Sequence, residues 1–198
     1  MPFVLLSFLI LVLDQLVKIL AAGRLGMEGA SAPFLPGILR LTLVHNYGAS
    51  WGMLAGKTAL LLIVTALVCF AILTALLLGK PQSKLGKLSL AFILGGAAGN
   101  AVDRFVMGYV VDMFETEFVS FPVFNLADCF ITMGAALLIL WVLLDEKAAR
   151  QKRQESSRAR WEKSREDARA EAARAEEMLR AFEEDGSNGG NHDDLGDR

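Results

Sequence analysis

Long apolar runs, separated by short polar stretches, dominate the first three quarters of the chain. A run of about 20 apolar residues can cross the hydrocarbon core of a bilayer as a helix. The pattern predicts four such helices, over residues 2–22, 58–78, 88 to about 102, and 126–144. The first run has no Lys or Arg before it and contains Asp14 and Lys18, so it is interpreted as a retained spanning helix, not a signal peptide.

The predicted orientation follows from the Lys and Arg content of the connections. Residues 79–87 contain three lysines, and the segment after residue 144 begins DEKAARQKRQ. Because short basic connections stay in the cytoplasm, both of these segments and both termini are predicted to be cytoplasmic. The connections 23–57 and about 103–125 then face outward, and most of the polar residues suited to chemistry lie on that side.

Two polar regions flank this apolar body. Residues 29–46 mix Pro and Gly turns with the alternation Ile38, Arg40, Thr42 and Val44, which predicts a short strand or hairpin on the membrane surface. Residues 146–185, rich in Ala, Glu and Arg, are predicted to form a solvated helix, and residues 186–198 to be disordered.

The predicted fold is therefore an all-α membrane protein with a small extracytoplasmic β-like cradle. Residues 1–146 form a four-span membrane domain and residues 147–198 a charged cytoplasmic tail. Cys69 and Cys129 lie in apolar runs without paired spacing, and His45 and His192 are far apart in sequence. Neither a disulfide framework nor a metal site is indicated. No cofactor and no nucleic-acid partner are predicted.

Ionisable residues inside the apolar runs are the candidates for function, because each costs roughly 2.5–3.5 kcal/mol to insert. Asp14 and Lys18 stand one helical turn apart, so they can pair with each other or bracket a polar site. Asn100 and Asp103, like Asn125 and Asp128, have the spacing that places an amide against a carboxylate one turn later. Arg104, next to Asp103, is interpreted as its structural ion-pair partner.

Asp112 and Asp128 have no cation adjacent in sequence. Two carboxylates that share a site hold one proton between them. The ionised member can then deprotonate a water that attacks an amide carbonyl, while the protonated member binds the carbonyl oxygen and assists the leaving amine. This is aspartic-type peptide hydrolysis. It requires the loop between the two residues to fold back.

Other chemistries have less support in the sequence. A Ser–Lys dyad from Ser50 or Ser120 with Lys18 or Lys57 is not marked by any motif, and Cys129 has no histidine placed to activate it. An ion- or proton-coupled membrane carrier is the main alternative, since intramembrane Asp and Lys also serve relays. A scaffold acting through the charged tail would leave the two aspartates unexplained.

Five motifs occur together and in order: DQLVK at 14–18, HNYGASWGML at 45–54, GGAAGNAVDR at 95–104, GYVVDMF at 108–114 and FNLADC at 124–129. On these motifs the chain, over about residues 3–144, resembles the lipoprotein signal peptidase family, also called signal peptidase II. The resemblance implies an aspartic endopeptidase that removes the signal peptide from diacylglyceryl-modified prolipoproteins by cleaving before the lipidated cysteine.

The resemblance also implies which residues act. Asp112 and Asp128 match the catalytic aspartates, and a further set matches family positions around the active site and substrate: Asn46, Gly48, Asn100, Arg104, Asn125, Asp14 and Lys18. A multi-pass protein of the bacterial inner membrane is implied, with its active site at the outer face. Its expected partners are prolipoproteins and membrane lipid, and a monomer is expected. Trp51, Met113 and Cys129 differ from the residues that are common at these positions in the family, and none of these differences removes a carboxylate.

Overall fold

The structure, a computed structural model, describes residues 1–49 and 53–188. Within these ranges four helices are long and apolar enough to cross a membrane, as predicted. They are α1 (Pro2–Leu25), α2 (Thr58–Leu77), α3 (Lys84–Val106) and the first part, Leu126–Glu146, of α4 (Leu126–Asn188). α1 continues beyond the predicted end because its stop signal is Gly26, whose positive φ of 79° closes the last turn.

α3 is the central helix, and its small residues explain why. Half of its apolar window is buried, against 6% for α2. A Cβ at Gly95 would collide with Ile10 of α1, and one at Gly96 would collide with the backbone of Ala127 in α4. These glycines therefore let the neighbouring helices approach closely, as the Gly-rich composition predicted.

An antiparallel sheet joins the helix ends, with the described strands in the order β1 (Ser31–Leu35), β2 (Leu39–Asn46) and β3 (Val110–Thr116). The predicted hairpin over residues 29–46 is confirmed as β1 and β2. Strand β3 was not predicted. It contains Asp112, which therefore lies in a strand and not in a loop. β3 follows α3 after a break at Gly108, which has a positive φ of 82°.

One face of the sheet packs on α1. Leu43 of β2 and Val111 and Met113 of β3 form a buried cluster with Ala21. Because side chains alternate along a strand, Asp112 points away from this apolar cluster. The register pairs Asp112 with Val44, two residues from Asn46.

The chain divides into two compact units, Met1–Leu143 and Leu144–Arg198. α4 is helical as far as Asn188, so residues 186–188, predicted to be disordered, are helical. The rest of that prediction, residues 189–198 with His192, lies outside the described residues. In the second unit Arg158 pairs with Glu162 at 3.0 Å. The cytoplasmic placement of the tail and the division at residues 146/147 stay predictions.

Candidate active site

The start of α4 fixes the position of Asp128. Asn125 precedes the helix, and its Oδ1 accepts a hydrogen bond from the backbone N–H of Asp128 at 3.0 Å. In return, the backbone N–H of Asn125 donates to Oδ2 of Asp128 at 3.2 Å. This reciprocal pattern is a capping box, with both side chains held by the helix N-terminus. Asn125 and Asp128 are therefore in contact, as predicted, but each side chain bonds the backbone of the other and the amide does not bond the carboxylate.

Amide groups connect this carboxylate to that of Asp112 on β3. Asn125 Nδ2 donates to Asp112 Oδ1 at 2.6 Å, and Asn46 Nδ2 donates to Asp112 Oδ2 at 2.9 Å. Asn100 Nδ2 donates to Asp128 Oδ1 at 2.9 Å, while its own Oδ1 accepts from Asn125 at 3.1 Å. The loop between the two aspartates therefore folds back, as aspartic chemistry requires. The amide of Asn100 reaches Asp128 and not, as predicted, Asp103.

The surroundings of Asp112 change its affinity for a proton. Burial raises the pKa of its carboxyl to about 6, and the nearby charge of Asp128 acts in the same direction. The hydrogen bonds from Asn46 and Asn125 partly oppose this rise in pKa. A carboxyl with a pKa near 6 can hold a proton close to neutral pH, which is what a general acid needs.

A second cluster of charged side chains lies beside these amides. Lys18 Nζ is 2.9 Å from Asp14 Oδ2 and 2.7 Å from Asp103 Oδ2, and it donates to Asn100 Oδ1 at 2.9 Å. All three charged side chains are at most 3% exposed. Lys18 thus both pairs with Asp14 and contacts a residue of the site, so the two possibilities left open by the sequence occur together.

The two acids of this cluster hold the residues that precede the candidate catalytic pair. Asp14 Oδ1 accepts from the backbone N–H of Ala127 at 2.9 Å, one residue before Asp128. Asp103 Oδ2 accepts from the backbone N–H of Val111 at 3.2 Å, one residue before Asp112. The cluster therefore positions α4 and β3 at the points where they present their aspartates.

The prediction that Arg104 is the ion-pair partner of Asp103 is wrong. Asp103 pairs with Lys18, whereas Arg104 Nη2 donates to the carbonyl oxygen of Gly48 at 3.0 Å. Neighbours on a helix point in different directions, about 100° apart, which separates these two side chains. The Nε of Arg104 is buried and has no hydrogen-bond partner among the described residues, so it remains able to donate.

Gly48 stands where the chain turns tightly. Its backbone N–H donates to Asn46 Oδ1 at 2.9 Å, which orients the amide that contacts Asp112. A Cβ at Gly48 would lie 2.7 Å from the carbonyl oxygen of Met53, so a side chain does not fit. Residues 50–52 of this motif, including Ser50 and Trp51, lie outside the described residues.

Gln15 was overlooked as a candidate residue. Its Nε2 donates to Asp103 Oδ1 at 2.8 Å and to the carbonyl oxygen of Gly99 at 3.2 Å, and lies 3.3 Å from Asp14 Oδ2. A Cβ at Gly99 would overlap the carboxylate of Asp14, so this glycine makes room for the cluster. A polar amide in an apolar run was the available signal, and it was masked by the charges beside it.

Comparison with known proteins first defines the class. Two solved structures, each described as a bacterial membrane enzyme, match this fold. One has a TM-score of 0.68 and 30% identity, covering 73% of this chain and 89% of the other. The second has a TM-score of 0.64 and 30% identity, covering 72% and 92%. The fold is therefore that of a multi-pass bacterial membrane enzyme.

Sequence comparison narrows this class. The profile described as Signal peptidase (SPase) II matches residues 6–144. A lipoprotein signal peptidase from Moorella thermoacetica is 44% identical over 144 residues, which cover 73% of this chain and 93% of the relative. One from Enterococcus faecalis is 39% identical over 147 residues, covering 74% and 91%. The chain belongs to the signal peptidase II family, which confirms the resemblance, and it is an enzyme of that kind.

Proposed function

We propose that this protein removes the signal peptide from diacylglyceryl-modified prolipoproteins by cleaving before the lipidated cysteine, with Asp112 and Asp128 as its catalytic pair. The observation that carries this proposal is the position of Asn125. Its side chain donates to Asp112 at 2.6 Å while its backbone N–H donates to Asp128 at 3.2 Å. One residue therefore holds both carboxylates in a common site.

In the proposed reaction the pair carries one proton, held by Asp112. Ionised Asp128 takes a proton from a water molecule as the water oxygen attacks the scissile carbonyl carbon. Asp112 gives its proton to the carbonyl oxygen, which forms a tetrahedral diol. The C–N bond then breaks as the nitrogen of the leaving amine takes up the proton from Asp128, and Asp112 recovers its proton from the diol. The burial that raises the pKa of Asp112 to about 6 supports this division of roles.

The remaining candidate residues fall into three groups in this proposal. Arg104, whose Nε has no partner within residues 1–49 and 53–188, acts with Asn46 and Gly48 to hold the peptide backbone. Asn100 and Asn125 orient the two carboxylates, as their hydrogen bonds indicate. Asp14 and Lys18 are buried and do not touch the peptide. They support the site through hydrogen bonds, Asp14 to the backbone N–H of Ala127 and Lys18 to the side chain of Asn100.

We further propose that the site faces the outer side of the bacterial inner membrane, with both termini in the cytoplasm and the protein acting as a monomer. Lys80, Lys84 and Lys87 lie at or just before the start of α3, whereas the sheet follows its other end. The positive-inside rule then supports an outward-facing sheet. The carrier alternative lacks support, because Asp14, Lys18, Asp103 and Asp112 form one cluster with their amide partners and not a path across the membrane.

The test uses purified enzyme in detergent or lipid and a diacylglyceryl-modified prolipoprotein. Asp112→Asn and Asp128→Asn should each reduce turnover by about 10²- to 10⁴-fold, the usual contribution of a positioned acid or base. Asp145→Asn, at an exposed carboxylate in the same chain, is the matched control and should cleave normally. Thermal unfolding checks that each variant is folded. Full turnover by either Asp112→Asn or Asp128→Asn would disprove the pair.

A further inference from the structure

An apolar rim is formed at one end of the sheet by two segments that are distant in sequence. One is the tip of the β1–β2 hairpin, and the other is the loop that follows β3. Their large apolar side chains are each between 46% and 69% exposed. The rim consists of Phe34, Leu35, Ile38, Phe118, Val119 and Phe121.

Glu117 fastens the two segments of the rim together. Its Oε2 accepts from the backbone N–H of Gly37 at 2.7 Å, and its Oε1 accepts from Arg40 Nε at 3.0 Å. Its backbone N–H also donates to the carbonyl oxygen of Ile38 at 3.0 Å. The hydrogen bond from Arg40 holds the pKa of Glu117 below its ordinary value. The carboxylate therefore stays ionised, and its charge is balanced by Arg40 within the apolar surface.

Aromatic contacts connect the rim to a membrane-spanning helix. The ring centroids of Phe34 and Phe114 are 6.2 Å apart, those of Phe114 and Phe124 are 5.8 Å apart, and those of Phe124 and Phe121 are 6.0 Å apart. α4 begins at Leu126, two residues after Phe124. The apolar surface of the rim thus continues, ring by ring, to the end of a span.

We propose that this rim inserts into the lipid of the leaflet at its own end of the helical bundle. A large exposed apolar patch marks an interaction site, and Phe and Leu side chains on an amphipathic surface bury at the boundary between lipid headgroups and acyl chains. Lipid is the occupant that fits, because the rim is joined through its rings to the beginning of a spanning helix. Beyond the rim the sheet turns polar, since Thr42 donates to Glu115 at 2.5 Å and contacts Ser31 at 2.9 Å.

This insertion gives the sheet a fixed depth. Asp112 lies within β3, and Glu117 follows its last residue, Thr116. A rim anchored in lipid therefore sets how far Asp112 lies from the membrane surface. The proposal concerns the attachment of the sheet and holds whether or not Asp112 is catalytic.

A nitroxide label measures the insertion directly. Phe118→Cys is made in a background carrying Cys69→Ala and Cys129→Ala, labelled, and reconstituted in phosphatidylethanolamine and phosphatidylglycerol vesicles. Collision rates are measured with oxygen, which concentrates in lipid, and with a nickel chelate, which stays in water. The matched control is a label at Ser31→Cys, on an exposed edge-strand position of the same sheet.

We expect the label at position 118 to collide mainly with oxygen and the label at position 31 mainly with nickel. Equal nickel collisions at both positions would overturn the proposal. Val119→Cys provides a second rim position if the Phe118 variant does not fold, with the same expected result. None of these readings depends on peptidase activity, so they are separate from the test of the catalytic pair.

The role of Glu117 has its own test in the labelled Phe118→Cys protein. Glu117→Gln removes the charge that Arg40 and Gly37 bind, so nickel collisions at position 118 should rise toward those of the Ser31 control. Glu28→Gln, at another exposed glutamate that contacts His45, should leave them unchanged. Unchanged collisions in Glu117→Gln would show that Glu117 does not hold the rim.

Discussion

Two pairs of carboxylates lie within one unit of this protein, and they differ in what holds them. Asp14 and Asp103 share a cation, Lys18, at 2.9 and 2.7 Å. Asp112 is held by the neutral amides of Asn46 and Asn125, and Asp128 by Asn100 and the backbone of Asn125. Lys18 supplies a positive charge to both carboxylates of the first pair. Amides satisfy the oxygens of the second pair without cancelling their charge.

This difference indicates a structural role for the pair that Lys18 contacts and a chemical role for the pair that the amides hold. A buried carboxylate in contact with a buried cation has a counter-charge, and removing either partner is strongly destabilising, which suits a structural role. A buried carboxylate held only by amides is close to exchanging its proton, as the pKa of Asp112 near 6 indicates. The two pairs are coupled through the backbone, because Asp103 binds the N–H of Val111 and Asp14 that of Ala127.

Removing the shared cation should have the largest effect on stability. Lys18→Met leaves two buried carboxylates without a counter-charge, and breaking a buried ion pair from one side costs about 3–5 kcal/mol. Chemical unfolding in detergent measures the change. Lys57→Met, at an exposed lysine before α2, is the control, expected within about 0.5 kcal/mol of the parent. A Lys18→Met protein as stable as the parent would remove the distinction between the two pairs.

The raised pKa of Asp112, in the amide-held pair, should make the free energy of unfolding depend on pH. The folded pKa of Asp112 lies above its ordinary 3.8, so its contribution to stability is complete below that value and is lost as pH rises through about 6. The rise in pKa corresponds to roughly 3 kcal/mol. Asp112→Asn cannot ionise, so its unfolding free energy should gain about that amount relative to the parent between about pH 4 and pH 8.

Unfolding curves of Asp112→Asn and its parent, recorded across this pH range, test the expectation. The asparagine loses an acceptor for Asn46 or Asn125, which lowers stability equally at every pH. Only the difference in slope therefore carries information. Parallel pH profiles for the two proteins would mean that Asp112 has no raised pKa. Asp145→Asn should run parallel to the parent.

Gln15 tests how completely the charged cluster is satisfied. Gln15→Leu removes the donor to Asp103 Oδ1 and Gly99, and an unsatisfied buried acceptor costs about 1–3 kcal/mol. Gln15→Glu should be more destabilising than Gln15→Leu, because it adds a third negative charge beside Asp14 and Asp103. If the glutamate variant matches the parent in an unfolding measurement, Gln15 does not support the cluster.

Much of this arrangement could be predicted from the sequence. Apolar runs predicted the four helices, because length and composition suffice to define a span. The β1–β2 hairpin followed from turns and alternation. The motifs around Asp112 and Asp128 named the candidate pair, although spacing could not show that they meet. The spacing of Asn125 and Asp128 predicted that they meet, although not that they form the cap at the start of α4.

The errors share a physical cause, which is that partners were sought nearby in sequence. Asp103 was matched with adjacent Arg104, yet neighbouring helix residues diverge and its partner, Lys18, comes from α1. Asn100 was matched with Asp103, yet its amide reaches α4. Strand β3 was missed because it directly follows a helix and forms its ladder with the distant β2. Tertiary packing decides such contacts.

The smallest expected effect concerns the tail. Both carboxylate pairs lie in Met1–Leu143, and the family profile ends at residue 144. Truncation after residue 147 should therefore change the rate of cleavage by no more than about twofold. This corresponds to the roughly 0.5 kcal/mol that is usual for surface changes far from the core and its polar networks. Cleavage of a lipidated prolipoprotein by the truncated and full-length proteins in the same vesicles measures this. A large loss in a folded, inserted truncation would mean that the amide-held pair depends on residues beyond the membrane unit.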